Sequence, residues 1–236
     1  MTMELTQDTL VYELWELIRK NITDDDSIDY RQIAEWITQQ RAFWIKRQTN
    51  NRMGLVDNAF YQNLPKMELE EINSIEDTSI ACSGYIKRTK LSVPRIIEGK
   101  TGYLVRRIGP IDNLSERFKV KDITELIYLN NGRFNNTALF AIFDKGKANI
   151  VSTSTNPYYG ALKYISVDAV FENPEQLEDY IDKDGNSLFD KSTTPYPITR
   201  DLYLYMKEAV IKFNIPLIKQ ADEDPLNNAI NDEQQR

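Results

Sequence analysis

The stretch from Ser27 to Asn51, SIDYRQIAEWITQQRAFWIKRQTNN, constrains the fold more than any other part of the chain. It carries two of the three tryptophans and spaces its apolar residues as a helix does. Ile33, Ile37 and Trp44 fall on one line, with Trp36 and Phe43 beside it, so the apolar arc covers roughly a third of the circumference. A face of this kind must be buried. The spacing predicts a bundle core built on Ile33, Trp36, Ile37 and Trp44, or a face partly buried against a neighbouring subunit, because Trp and Phe anchor interfaces. The far end of the helix is basic. No acidic residue lies between Trp36 and Val56, whereas Arg41, Lys46, Arg47 and Arg52 do. These four are candidates for an interface or a DNA-facing surface. A solvated helix end with a favourable dipole is the plainer alternative.

The remaining elements follow from changes of period. Residues 8–21, DTLVYELWELIRKN, place Leu10, Leu14 and Leu17 on one face, with Val11 and Ile18 beside it. The polar link TDDD then implies an antiparallel helical hairpin. Residues 51–66 read as a linker. Beyond it the period becomes two: MELEEINSI, IACSGYIKRTKLSVPRII, GYLVRRI and KYISVDAVF read as strands, with Pro94 marking an edge or a bulge. TALFAIFDKGKANIVST reads as a hairpin whose Asp144–Lys147 turn suits a bulged loop. A short helix is expected over 122–130, and another behind Asn173-Pro174. A last helix is expected from Thr199 to about Asn214, where Pro216 ends it. The expected fold is α+β: an N-terminal helical hairpin (1–55) packed with a C-terminal helical part (173–218), a mostly antiparallel β-rich insertion (66–172), and a flexible acidic tail (219–236).

Composition narrows the chemistry. The chain of 236 residues contains no histidine, which removes His-based triads and imidazole metal sites. Cys82 is the single cysteine and reads as a buried structural thiol. The net charge of −7 argues against a generic nucleic-acid binder, though not against a local basic surface. No apolar run reaches the about 18 residues of a membrane span, so no membrane partner is expected. Asp24, Asp25 and Asp26 read as solvated carboxylates before a helix. Asp182-Lys183-Asp184-Gly185-Asn186 starts like a calcium loop, but Ser187 and Thr193 stand where glycine and glutamate are required, so it reads as a turn. No glycine-rich phosphate loop is present. No catalytic residue, metal or cofactor is assigned.

Three segments together resemble the ring, or head-to-tail connector, proteins of crAss-like bacteriophages. They are LIRKNITDDDSIDYRQIAEWITQQRAFWIK near the start, VFENPEQL after the last strand, and YPITRDLYLYMKEAVIKFNIPLIKQADEDPLNNAIND at the end. The tail departs from the family's pattern, with Gln220-Ala221 where a proline precedes the first aspartate. The resemblance implies a non-enzymatic virion subunit, assembled in the bacterial host cytoplasm. It implies a ring of about twelve copies in the neck, between portal and tail, forming part of the DNA channel. Its partners would be its own copies, the portal protein, neighbouring ring or tail proteins, and genomic DNA. The runner-up is a DNA-binding or packaging accessory protein that uses the basic end of the second helix.

Overall fold

A computed structural model describes residues 5–20, 29–51, 56–73, 85–113, 116–125, 139–152, 157–209 and 212. Asp24–Asp26, Arg52, Cys82, most of the helix expected over 122–130 and the tail 219–236 lie outside these residues. The protein is a mixed α+β chain with a large, mostly antiparallel sheet. It divides into two compact units, Met1–Ile45 with Lys191–Arg236, and Lys46–Asp190.

The first unit is helical. Helix α1 (Gln7–Arg19) starts at Thr6, whose side chain accepts from the Thr9 amide. It buries Leu10, Val11, Leu14 and Ile18, while Leu17 is only half-buried. Helix α2 (Tyr30–Asn51) buries Ile33, Ile37, Arg41, Ile45 and Thr49, a row in steps of four, with Ala42 beside it. Each such step advances the row by about 40° in a helix of about 3.6 residues per turn, so the buried line winds around α2. Trp36 and Trp44 sit half-buried alongside this row, and Phe43 is 57% exposed. The aromatic residues that dominate the hydrophobic pattern therefore flank the core here. Polar Arg41 and Thr49 hold positions that pattern alone would give to solvent.

Residues 195–198 run beside both elements of this unit. Thr6 bridges Pro195, and the Tyr196 amide donates to the Leu5 carbonyl (2.9 Å). The final helix begins at Arg200; the Leu202 amide donates to Thr199 Oγ1 (3.3 Å), as an N-cap requires. It buries Leu202, Tyr203, Met206 and Ala209, and Lys207 reaches Glu13 of α1 at 2.5 Å.

In the second unit, strands β1 (Gln62–Asn73), β2 (Tyr85–Thr89), β3 (Glu98–Gly99), β4 (Gly102–Tyr103), β5 (Val105–Pro110), β6 (Lys119–Val120), β7 (Leu139–Asp144), β8 (Lys147–Ser152) and β9 (Tyr164–Ala169) follow in order. Seven form one sheet in the order β5-β9-β1-β2-β8-β7-β6, and only β6–β7 is parallel. The first half of β1 pairs with β9 and the second half with β2. One backbone hydrogen bond links the two border strands' surroundings: the amide of Phe118, just before β6, donates to the Ile108 carbonyl of β5 (2.8 Å). Gly109 permits this approach: a Cβ there would lie 2.5 Å from the Glu116 carbonyl oxygen. Ile86, Phe140, Ile142 and Val151 pack together inside, with Ile123 against them. Each such side chain removed from water contributes about 2 kcal/mol.

Three expectations change. The supposed linker over 51–66 is partly structured. Asp57 caps a one-turn 3-10 helix at Asn58–Phe60, Phe60 is fully buried, and β1 begins at Gln62. Pro65 lies within that strand, and the register shifts between Leu64 and Met67, the bulge that a residue without an N–H demands. The 144–147 loop is a two-residue turn instead of a bulge: Asp144 pairs with Lys147, and Lys145 and Gly146 both have positive φ (47° and 72°). Residues 173–190 fall in the strand unit, where Leu177 and Phe189 are buried and the Tyr180 hydroxyl donates to the Ser92 carbonyl.

A short helix, α3 (Pro157–Ala161), is tied to the sheet by a buried lysine. Lys87 Nζ donates to the carbonyls of Gly160 (3.0 Å) and Leu162 (2.8 Å) and lies 3.3 Å from Glu71. The Tyr159 hydroxyl accepts from the Lys87 amide (3.0 Å) and donates to the Ile150 carbonyl (2.9 Å). The ammonium thus satisfies carbonyls at a helix C-terminus, where a cation is also favoured by the dipole.

Candidate functional site

The four basic candidates on α2 have separate fates. Arg41, in the helical unit, is fully buried. Its Nε donates to the Pro197 carbonyl (2.7 Å), and its guanidinium lies 5.9 Å from the centre of the Tyr196 ring. Burial lowers its pKa to about 10, so it remains a cation at neutral pH. Arg41 is therefore a structural group and cannot present charge to a partner or to DNA. Lys46 and Arg47 belong to the strand unit. Arg47 is exposed, and Lys46 is half-buried, pairing with Glu172 (3.0 Å). Arg52 lies outside the described residues. Of the four core candidates, Ile33 and Ile37 are buried, whereas Trp36 and Trp44 are half-buried.

Lys46 opens onto a cleft of about 950 Å³ within the strand unit. One wall is the last turn of α2. There Asn50 Oδ1 accepts from the Lys100 amide (2.9 Å), and Thr49 packs on Gly99. A Cβ at Gly99 would come within 2.8 Å of Thr49 Cγ2, so glycine is what lets the helix end sit this close. The opposite wall is the Lys145-Gly146 turn, fixed where the Val93 amide donates to the Gly146 carbonyl (2.6 Å). Between them Tyr103 meets Phe143 edge-on, with ring centres 5.4 Å apart. Burial, reinforced by the carboxylates of Glu98, Asp122 and Asp144, raises the Tyr103 pKa and keeps its hydroxyl protonated.

The electrostatics of this cleft are mixed. Lys46, Arg95, Lys100 and Lys145 stand among Glu98, Asp144 and Glu172. Glu172 is held at both oxygens, Oε1 by Lys46 (3.0 Å) and Oε2 by Arg95 (2.9 Å). This accounts physically for the segment VFENPEQL. Phe171 is fully buried, Glu172 clamps two cations, Asn173 accepts from the Glu175 amide (2.9 Å), and Pro174 opens the one-turn 3-10 helix. Sequence reading passed over Arg95, Lys100, Lys145 and Glu172 as site residues. They come from three separate segments, and only the paired positive φ at Lys145-Gly146 has a local signature.

Among the described residues no group of three or more His, Cys, Asp or Glu gathers at one point. Asp182 Oδ1 instead accepts from the amides of Asp184 (2.7 Å) and Asn186 (2.9 Å), forming a closed turn. No helix among the described residues is long and apolar enough to cross a membrane.

The cleft thus presents mixed polar and charged side chains, with Lys46 and Arg95 paired on Glu172. Residues 9–233 match the family described as phage tail ring protein 2, and the chain belongs to that family. No curated protein matches it. The chain is thus a bacteriophage tail ring protein and a virion component, for which self-association and tail-associated partners follow from the ring.

Proposed function

We propose that this protein forms a ring of about twelve copies in the neck of the virion, between portal and tail, and that the ring is part of the channel through which DNA leaves. The family match over residues 9–233 carries this reading. The role is structural and non-enzymatic. The helices form a hairpin bundle with the C-terminal helix, and exposed Arg47 meets an acidic surface of a neighbouring subunit. Two features support a non-adhesive channel component: the net charge of −7 and the pairing of Lys46 and Arg95 on Glu172. Each unpaired phosphate contact would otherwise add salt-dependent affinity for DNA. Analytical ultracentrifugation and imaging of the purified protein, alone and with portal, test the proposal. A chain that stays monomeric and binds neither portal nor tail proteins contradicts it.

The second reading, a DNA-binding or packaging accessory protein, draws on Lys46, Arg47, Lys100 and Lys145. It predicts duplex affinity that falls steeply with salt. Absence of binding at low salt removes it.

A further inference from the structure

The helical unit exposes an aromatic ladder. Trp15 of α1 stacks on Tyr30 of α2, with ring centres 5.3 Å apart and planes 22° apart. Tyr12 lies 6.3 Å from Trp15, and the Arg19 guanidinium lies 5.1 Å from the centre of its ring. Tyr12 is 55% exposed and Tyr30 47%. Tyr, Trp and Arg are the residue types that dominate binding energy at protein interfaces. Stacking also fixes these side chains before any partner arrives, which lowers the entropy lost on association.

The strand unit holds an apolar groove of about 550 Å³. Pro110, Ile111, Phe118, Leu139, Tyr158 and Tyr164 line it, and Ile111, Tyr158 and Tyr164 are exposed. Its rim carries Asp112 and Glu116, with Lys66 and Lys163 also present. The ladder carries the matching set, Arg19 and Lys20 with Glu16.

We propose that the Tyr12–Trp15–Tyr30 ladder of one copy docks in the Ile111–Tyr158–Tyr164 groove of the next copy, with Arg19 facing Asp112 and Glu116. The inference rests on the ring reading. A cyclic assembly needs two different faces that fit one another on every subunit. The exposed ladder and the concave groove offer such a pair, with the Arg19 cation of one set against the Asp112 and Glu116 carboxylates of the other.

The test uses the full chain in two arms. In the first, a photoreactive benzoyl-phenylalanine replaces Tyr12, and labelled and unlabelled copies are mixed before assembly. Cross-links between copies should map to residues 110–118 or 158–164. In the second, Arg19→Glu should weaken assembly at least tenfold, and Asp112→Arg with Glu116→Arg should restore it. Far-UV circular dichroism of Arg19→Glu should stay at its wild-type value, and the melting midpoint should fall by only a few degrees, since Arg19 is exposed and gives up its Trp15 contact and its place in the last turn of α1. A ring that forms normally with Arg19→Glu, or whose cross-links land elsewhere or on another virion protein, overturns this contact and leaves the ring reading standing. A wild-type chain that never assembles overturns both.

Discussion

Arg41 offers the sharpest test of how the helical unit is held together. It is fully buried, and its Nε donates to the Pro197 carbonyl at 2.7 Å. Arg41→Met keeps the aliphatic stem and deletes the donor. An unsatisfied buried carbonyl costs about 1–3 kcal/mol. The gain from no longer burying a cation partly offsets this loss. The expected net loss is about 0.5–2 kcal/mol, which lowers the melting midpoint by about 1–8 °C at roughly 2–4 °C per kcal/mol. Arg41→Glu is more severe. It sets a carboxylate in the same buried place, facing a carbonyl, and an uncompensated buried charge costs about 3–5 kcal/mol. The helical unit should then fail to fold at 37 °C. Arg47→Glu, on an exposed position of the same helix, should stay within about 0.5 kcal/mol of wild type. Urea and thermal denaturation followed by circular dichroism give all three values. The reasoning is refuted if Arg41→Glu melts like wild type and loses only assembly, because that would place Arg41 at a partner surface.

Three further outcomes follow from the strand unit. Lys87→Met should orphan the Gly160 and Leu162 carbonyls and cost about 2–4 kcal/mol; hydrogen exchange should quicken first around residues 157–162. Lys145→Asn should stabilise the β7–β8 hairpin by about 1 kcal/mol, because asparagine tolerates the left-handed conformation better than lysine. A drop in midpoint would mean that the lysine side chain contributes more than its backbone strain costs. Backbone N–H donors, that of Asn186 first, hold the Asp182 pKa below its ordinary 3.8. A depressed carboxylate pKa adds stability that is fully present above the unfolded value and is lost as pH falls through the folded one. Amides 184 and 186 should therefore lose protection only when pH is taken below about 4, and Asp182→Asn should abolish that dependence.

Much of the fold was legible in the sequence because it rests on local chemistry. The Leu10, Leu14 and Leu17 face with Val11 and Ile18 beside it, the Asn173-Pro174 start and the Thr199 cap all rest on a few neighbouring residues, although the buried face of α1 is centred on the Ile18 side and leaves Leu17 half-buried. The Asp144–Lys147 turn was also readable, although its register was not. Lys145 takes a conformation usually left to asparagine or glycine, so composition suggested the looser, bulged form. The stretch 51–66 reads as a linker throughout, whereas β1 begins at Gln62 and absorbs Pro65 in a register shift between Leu64 and Met67. Arg41 misled for a different reason. A charged residue in a basic run reads as surface, and partners distant in the chain, the Pro197 carbonyl 156 positions away and the Tyr196 ring, help to make its burial tolerable. The cleft was the least legible feature, since Lys46, Arg95, Lys145 and Glu172 meet only after the sheet forms. In VFENPEQL, by contrast, family likeness flagged a segment whose physical purpose emerged from the clamp at Glu172.

The hydrogen bond from Phe118 to Ile108 has a consequence for how this sheet meets other chains. A sheet with an unpaired border can recruit strand after strand, and nothing in backbone pairing says when to stop. Here the Ile108 carbonyl on the border strand β5 is already engaged by the residue that leads into β6. At that point an added strand finds no free acceptor, and a neighbouring chain is met by side chains instead. Gly109→Leu, by wedging the Glu116 carbonyl away, should free that acceptor and make the border more prone to open-ended pairing.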